Sequence, residues 1–291
     1  MKKQFAILGL AFLFNSSALF ISCSKDEATD NESVAISSAE DDANADNIYD
    51  DVYNEMDESL TSLEQDKYAV STSSLKSVSI EGSKTITVST PDTVNFPKTI
   101  TIQYTNWTDM AGRIKNGTIT IVVTGRYRTE GATKTVTFQN FSIDSIMVEG
   151  THTVKNLGRN ASQYLQYEVK LVGGKLTFPG GLVITREFTR TRTWVSGEST
   201  PHFVLDDAYM IEGTATGVNR KGNTYTRTIT NPLYIAAACP WIAAGTVELN
   251  SNGRTININY GDSNSLCDNK AIVTVNGISK EITIHRGKRR N

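Results

Sequence analysis

The stretch GLVITREFTRTRTWV, residues 181–195, indicates the fold class. Its side chains alternate between two faces, and it is dense in Thr, Val, Ile and aromatic residues, which is typical of a β-strand. One face combines apolar and basic groups: Leu182, Ile184, Arg186, Phe188, Arg190, Arg192 and Trp194. The opposite face is mostly threonine. We therefore predict a strand with two chemically different faces.

The same alternation fills the chain from residue 79 to its end. Segments such as KTITIQY, GTITIVVTGRY, KTVTFQNFSI, YLQYEVKL and GRTININY are separated by turn signals such as TEG, PGG and NSNG. Asn276-Gly277 is a two-residue hairpin signature. An open sheet of about a dozen strands must curl, split or close. We predict an all-β domain over 79–291, a long antiparallel meander that forms a curled sheet or an incomplete barrel.

Glycines recur within this region at an almost constant interval. The seven that precede Thr-rich or apolar stretches are Gly82, Gly117, Gly150, Gly181, Gly213, Gly245 and Gly277. A repeat rhythm of roughly 32 residues fits two strands of 10–12 residues with two turns. Propeller blades are usually longer, about 40 residues, and solenoids have shorter strands. The rhythm therefore favours the meander.

The first 22 residues predict a lipoprotein signal peptide. Lys2 and Lys3 precede an apolar run that ends at Phe20-Ile21-Ser22-Cys23. This order of apolar, apolar, small and Cys looks like a lipobox, in which the thiol accepts a diacylglycerol group. We predict lipidation at Cys23. The alternative is an ordinary signal peptide with an incidental cysteine.

The segment after Cys23 is strongly acidic. Residues 24–75 contain 15 Asp and Glu against two Lys, whereas residues 76–291 contain 25 Lys and Arg against 16 Asp and Glu. We predict a flexible tether over 23–45, because this segment has little to bury, an acidic amphipathic helix over 46–66 and a linker over 67–78. The short helix carries an apolar stripe at Ile48, Val52, Met56, Leu60 and Leu63. We expect the stripe to pack on the following domain; the alternative is contact with another protein.

The three cysteines of the chain suggest one disulfide. If Cys23 carries a lipid, Cys239 and Cys267 remain as an even pair in an exported protein. A bridge between them is the first interpretation, and two free buried thiols are the second. Neither cysteine has a CxxC partner or a histidine nearby in sequence.

The basic and aromatic face is the candidate ligand site. Its members are Arg186, Phe188, Arg190, Arg192 and Trp194, and guanidinium groups pair and stack with anionic ligands such as polysaccharides or lipid head groups. The alternative is a solvated sheet face, in which cross-strand Thr and Arg pairs stabilise the ladder. We expect no nucleic-acid partner, because export and the absence of a recognisable motif argue against it.

No pattern of catalytic or metal-binding residues stands out. His152, His202 and His285 are scattered, and the chain has no HExxH or GxSxG motif. The Asp and Asn residues near 206 and 262–269 match no standard calcium loop. We therefore predict a protein that is not an enzyme and that uses no metal or cofactor.

Two stretches carry a resemblance to a known family. Ser24-Lys25-Asp26-Glu27, directly after the lipobox, resembles the export signal of Bacteroidota surface lipoproteins, and the C-terminal region CPWIAAGTVEL…INYGDSNSLCDNKAIVTVNG looks like an all-β domain of that group. The resemblance implies an outer-membrane protein that is lipid-anchored and exposed at the cell surface, with the periplasmic face as the alternative. The motifs themselves imply no activity. Because the export signal and the charged segment fit a domain held off the membrane, we predict a structural, adhesion or interaction module with an envelope protein or polysaccharide as partner.

Overall fold

One long helix followed by fourteen strands makes up the described part of the chain. The computed structural model describes residues 25–65, 75–78, 82–89, 92, 94–109, 112–200, 203–262 and 267–284. In these ranges no helix combines the length and the apolar character that crossing a bilayer requires.

The elements follow one another with short connections. The helix α1 spans Lys25–Gln65. The strands are β1 (Leu75–Val78), β2 (Ser83–Val88), β3 (Lys98–Thr108), β4 (Ile114–Val123), β5 (Thr133–Ile143), β6 (Ile146–Arg159), β7 (Leu165–Thr177), β8 (Val183–Ser196), β9 (Ala208–Val218), β10 (Thr224–Ala236), β11 (Ala244–Ser251), β12 (Arg254–Asn259), β13 (Lys270–Val275) and β14 (Ile278–Thr283). A 3₁₀ turn at Val204–Asp206 lies between β8 and β9.

The strands form one sheet in the order of the sequence. Each strand pairs antiparallel with the next, so β1 and β14 are the two edges among the described residues. The predicted all-β antiparallel meander is confirmed. The connections between the strands fall at the two ends of the sheet. We call the end near the N-terminal part of α1 proximal and the end near its C-terminus distal. The proximal end holds the odd-to-even connections, including β9–β10, and the distal end holds the even-to-odd connections, including β4–β5, β6–β7 and β8–β9.

The alternation of each strand separates an inner from an outer face. In β8, Ile184, Arg186, Phe188 and Arg190 are buried, whereas Glu187 and Thr189 between them are exposed. The face that combines apolar and basic groups therefore points into the sheet, and the threonine-rich face points outwards.

The sheet curls around α1. The Tyr49 hydroxyl donates to the carbonyl oxygen of Glu149 in β6 at 3.0 Å, and Asp57 pairs with Lys134 in β5. The same helix pairs with β8 and β10 and also contacts β11, β12 and β13. One straight element can touch strands from β5 to β13 only if the sheet bends round it, so the helix lies inside the curl.

The helix is much longer than predicted. The prediction of a flexible tether over 23–45 is wrong for residues 25–45, which are helical, and the helix extends well before its predicted start at residue 46. From Ala35 onwards many of its side chains are buried, including Ala39, Ala43, Asp42 and Asp46. The physical reason is that acidic side chains of this segment pair with basic residues inside the sheet. The segment is therefore buried and ordered as a helix.

The rest of the helix agrees with the apolar pattern. Ile48, Val52, Met56, Leu60 and Leu63 are all buried against the sheet, as expected. The predicted linker 67–78 is wrong at its end, because Leu75–Val78 already forms β1 and pairs with β2. Residues 66–74 lie outside the described residues.

Five glycines of the rhythm lie where neighbouring strands come very close, whereas Gly181 and Gly277 have no atom within 4 Å of an added Cβ. Gly117 in β4 has φ +94° and lies at the register shift between Asn116 and Thr118 against β5. A Cβ built on it would lie 2.1 Å from the carbonyl oxygen of Asn140. Only glycine fits such a bulge, and bulges bend and twist a sheet. The closely approached glycines of the rhythm thus help to curl the meander.

Candidate functional site

The predicted ligand face is enclosed by the fold. Arg186, Arg190 and Arg192 are almost completely buried, and so are Phe188 and Trp194. The five residues lie on the inner face of β8, where α1 fills the space in front of them. The structure therefore brings the predicted site residues together but does not present them to solvent.

Two aspartates of the helix bind the central arginines. Arg186 Nη2 lies 3.0 Å from Asp46 Oδ1, and its Nη1 pairs closely with Asp42 Oδ1. From β10, Arg227 reaches the same two carboxylates, with Nη2 2.8 Å from Asp46 Oδ2 and Nε 2.9 Å from Asp42 Oδ2. All four side chains are 0% exposed. Together with Arg190 and Asp50 they form what we call the buried ion network.

Arg190 occupies the centre of this network. Its Nη2 pairs closely with Asp46, and its Nη1 lies 3.3 Å from Asp50 Oδ1. Burial, and then the neighbouring Arg227, lower the pKa of Arg190 to about 9, so it stays charged at neutral pH. Burial also raises the pKa of Asp50 to about 6, against the opposing effect of Arg192. Charges removed from water in this way need close partners, and the helix supplies them.

Further ion pairs follow the helix along its length. Asp41 binds Arg220 of the β9–β10 connection, and Asp51 binds Arg113 of the β3–β4 connection. Near the C-terminal end, Asp57 Oδ1 lies 2.8 Å from Lys134 Nζ. The acidic surface that the sequence shows on this segment is therefore directed largely at the sheet of the same chain.

An aromatic cluster surrounds the C-terminal half of the helix. The Arg192 guanidinium lies 4.1 Å from the ring centroid of Tyr53 and 3.7 Å from that of Tyr209, in cation–π geometry. His152 packs edge-on against Tyr53 and Phe188, at centroid distances of 5.6 and 5.9 Å. Burial lowers the pKa of His152 to about 3, so the ring is neutral.

The described residues of this interior are packed as a core. His152, the histidine among the described residues, is buried, and the other two histidines lie outside the described ranges. The cavity beside Leu60, Tyr127 and Lys134 measures only about 20 Å³, close to the size of a single water molecule. Within the described ranges no group of three or more His, Cys, Asp or Glu could hold a metal ion.

Cys239 and Cys267 form a disulfide, as the first interpretation expected. Their Cα atoms lie 5.7 Å apart, and the bridge joins the β10–β11 and β12–β13 connections at the distal end. The predicted lipidation site, Cys23, and the predicted signal peptide lie outside the described residues.

A second feature, which the sequence analysis did not find, is an open cavity of about 500 Å³ at the distal end. Its walls are Arg128, Glu130, Gly158, Arg159, Leu165 and Glu198. These residues lie in the β4–β5 and β8–β9 connections and at the ends of β6 and β7 that flank their connection, so they are brought together only in the folded sheet. Their spacing along the chain contains no signal that could have revealed the cavity.

Comparison with known proteins gives no further guide: no protein-family model, curated protein or solved structure shows significant similarity to this chain.

Proposed function

We propose that the chain is a lipid-anchored lipoprotein of the outer membrane, exposed at the cell surface, whose β-rich domain is a non-enzymatic structural, adhesion or interaction module. The lipobox ending at Cys23 supports the lipid anchor, and the SKDE sequence after it supports export to the cell surface. The buried histidine and the filled interior are consistent with a role other than catalysis.

The observation that carries the proposal is the continuity of the helix. α1 begins at Lys25, two residues after Cys23, and continues without a break into the sheet interior. Its 41 residues measure about 60 Å, whereas the 14-residue strands β6 and β8 measure at most about 46 Å. Glu64 still accepts from the backbone nitrogen of Tyr127, so the excess length lies towards the N-terminus. A lipid at Cys23 would therefore connect the domain to the membrane through the rigid N-terminal part of α1, with the distal end facing away from the membrane.

The alternative proposal, an anionic ligand on the arginine face of β8, finds little support. Arg186 and Arg190 already have carboxylate partners from α1, so an external anion would have to displace the helix. For this reason we favour an interaction surface on the outside of the domain.

Metabolic labelling with palmitate tests the anchor. Wild-type protein should incorporate label and fractionate with outer membranes, whereas Cys23→Ala should do neither. Cys239→Ser is the matched control and should be labelled like the wild type. Equal labelling of wild type and Cys23→Ala would refute the anchor. Antibody binding to intact cells then separates the cell surface from the periplasmic face.

A further inference from the structure

We propose that the distal cavity binds a short, neutral saccharide. This inference rests on the proposed interaction role and gives it a ligand class. The cavity volume of about 500 Å³ lies within the range of small-ligand sites, roughly 300–1,000 Å³. It lies at the end of the sheet opposite the N-terminal part of α1, where a ligand would reach it without passing the membrane.

The walls offer both hydrogen-bond donors and hydrogen-bond acceptors. Arg128 donates one Nη1 bond to the carbonyl oxygen of Glu198 at 3.0 Å, and its other N–H groups have no partner in the described part of the chain. The carboxylate of Glu130 likewise accepts no hydrogen bond there. Guanidinium groups only donate and carboxylates only accept, whereas a hydroxyl group does both. A ligand with several hydroxyl groups therefore satisfies both kinds of group, and buried Leu165 offers an apolar patch for its C–H face.

The charges of the cavity balance. Arg128 and Arg159 contribute two positive charges, and Glu130 and Glu198 contribute two negative ones. Arg159 and Glu198 pair with each other, with Nη1 3.1 Å from Oε2. A strongly anionic or cationic ligand would gain attraction from one half of the site and meet repulsion from the other. Zero net charge therefore favours a neutral ligand.

A cation–π contact holds Arg128 in place before any ligand arrives. The Arg128 guanidinium stacks over the ring of Trp194, 4.7 Å from its centroid. The carboxylate of Glu130 lies close to Gly158, where an added Cβ would come within 2.8 Å of the Glu130 side chain, so glycine at this position leaves room for the carboxylate. Preorganised groups lose less entropy on binding, which supports a built site.

Titration of the full-length Cys23→Ala chain with neutral hexasaccharides tests the proposal. The probes are maltohexaose, cellohexaose and mannohexaose, and hexagalacturonate is the anionic counterpart. Calorimetry gives the affinity, and Trp194 emission reports on the stacked arginine. At least one neutral probe should bind and change the emission. Arg128→Ala and Glu130→Gln should each weaken binding about tenfold or more, the loss typical of a hydrogen bond to a charged group.

Matched controls remove the same charges outside the cavity. Arg126→Ala changes an exposed arginine of the same connection, and Glu212→Gln changes an exposed glutamate on β9. Both should bind within about twofold of the parent chain, and unchanged thermal unfolding should show that all four variants fold. The proposal is overturned if no neutral probe binds, if only hexagalacturonate binds, or if the controls lose as much affinity as the cavity variants. Because the chain carries no lipid in this assay, these outcomes are independent of palmitate labelling.

Discussion

At the scale of single residues, Asp46 connects more of the interior than any other acidic side chain described. It pairs with Arg186, Arg190 and Arg227, which come from two different strands. Removing these charges from water costs several kcal/mol per ion, which their mutual attraction only partly offsets. The buried ion network therefore acts mainly by fixing the position of α1 inside the curled sheet. A helix displaced along its axis would leave three guanidinium groups without partners.

Asp46→Asn should strongly destabilise the protein. The variant keeps the size of the side chain but leaves buried positive charge without compensation, so the free energy of unfolding should fall by about 3–5 kcal/mol. Chemical denaturation monitored by tryptophan fluorescence measures this. The control is Glu40→Gln, which removes one acid from the partly exposed side of the same helix and should change stability by less than about 0.5 kcal/mol. Equal effects would mean that the network is not the reason for the docking position.

His152 gives the protein a recognisable pH dependence. Its folded pKa, about 3, lies below the ordinary value, because burial and then Lys134 and Arg192 disfavour the charged ring. The unfolded chain takes up this proton below about pH 6.5, so the associated stability is complete above that pH and is lost as the pH falls towards 3. Between pH 6 and 4 the loss should approach about 1.4 kcal/mol per pH unit.

His152→Phe should lack this component. Asp50 and Asp207, whose pKa values burial raises to about 6, act in the opposite direction but are common to both proteins and cancel in the comparison. The free energy of unfolding of the wild type should therefore decline relative to that of the variant as the pH is lowered. Parallel curves for the two proteins would contradict a buried, neutral His152.

At the scale of elements, the glycine bulges link the repeat rhythm to the curl. Gly117→Ala should cost more than an ordinary glycine substitution, because the new methyl group meets the backbone of β5. Gly131→Ala is the matched control: its φ is +81°, yet no atom lies within 4 Å of the added Cβ. The control should lose about 1 kcal/mol for its backbone conformation, and Gly117→Ala should lose about 1–3 kcal/mol more.

Thermal and denaturant unfolding of the two variants measure that difference. Equal losses would show that the bulge at Gly117 tolerates a side chain, and that the glycine rhythm has another cause than the close approach of strands.

The elements differ in how far the sequence could predict them. The strands and their meander order follow from local alternation and turn residues, and the second half of α1 follows from the spacing of Ile48 to Leu63. The first half could not be predicted, because its stabilising partners are remote: Asp46 and Arg186 are 140 residues apart. From the local sequence alone, such aspartates are expected to be exposed to solvent. For the same reason the inner face of β8 was recognisable as one face, but its occupation by the chain's own helix was not.

At the scale of the whole molecule, the acidic N-terminal segment and the basic β-rich segment carry opposite charges because they pair with each other inside the fold. The net charge of −13 over residues 24–75 and of +9 over residues 76–291 nearly cancel when the helix lies inside the sheet. The described acidic helix is thus an internal part of the fold, and we expect helix and sheet to unfold together.

Hydrogen exchange of the helix measures this central claim most directly. In the intact chain, amides of residues 41–60 should exchange as slowly as those of β6–β8, because both open only when the whole domain unfolds. Asp46→Asn should speed up exchange in both regions together. Rapid exchange of residues 41–60 beside a protected sheet would contradict the account, since it would show an acidic helix that is not held inside the curl.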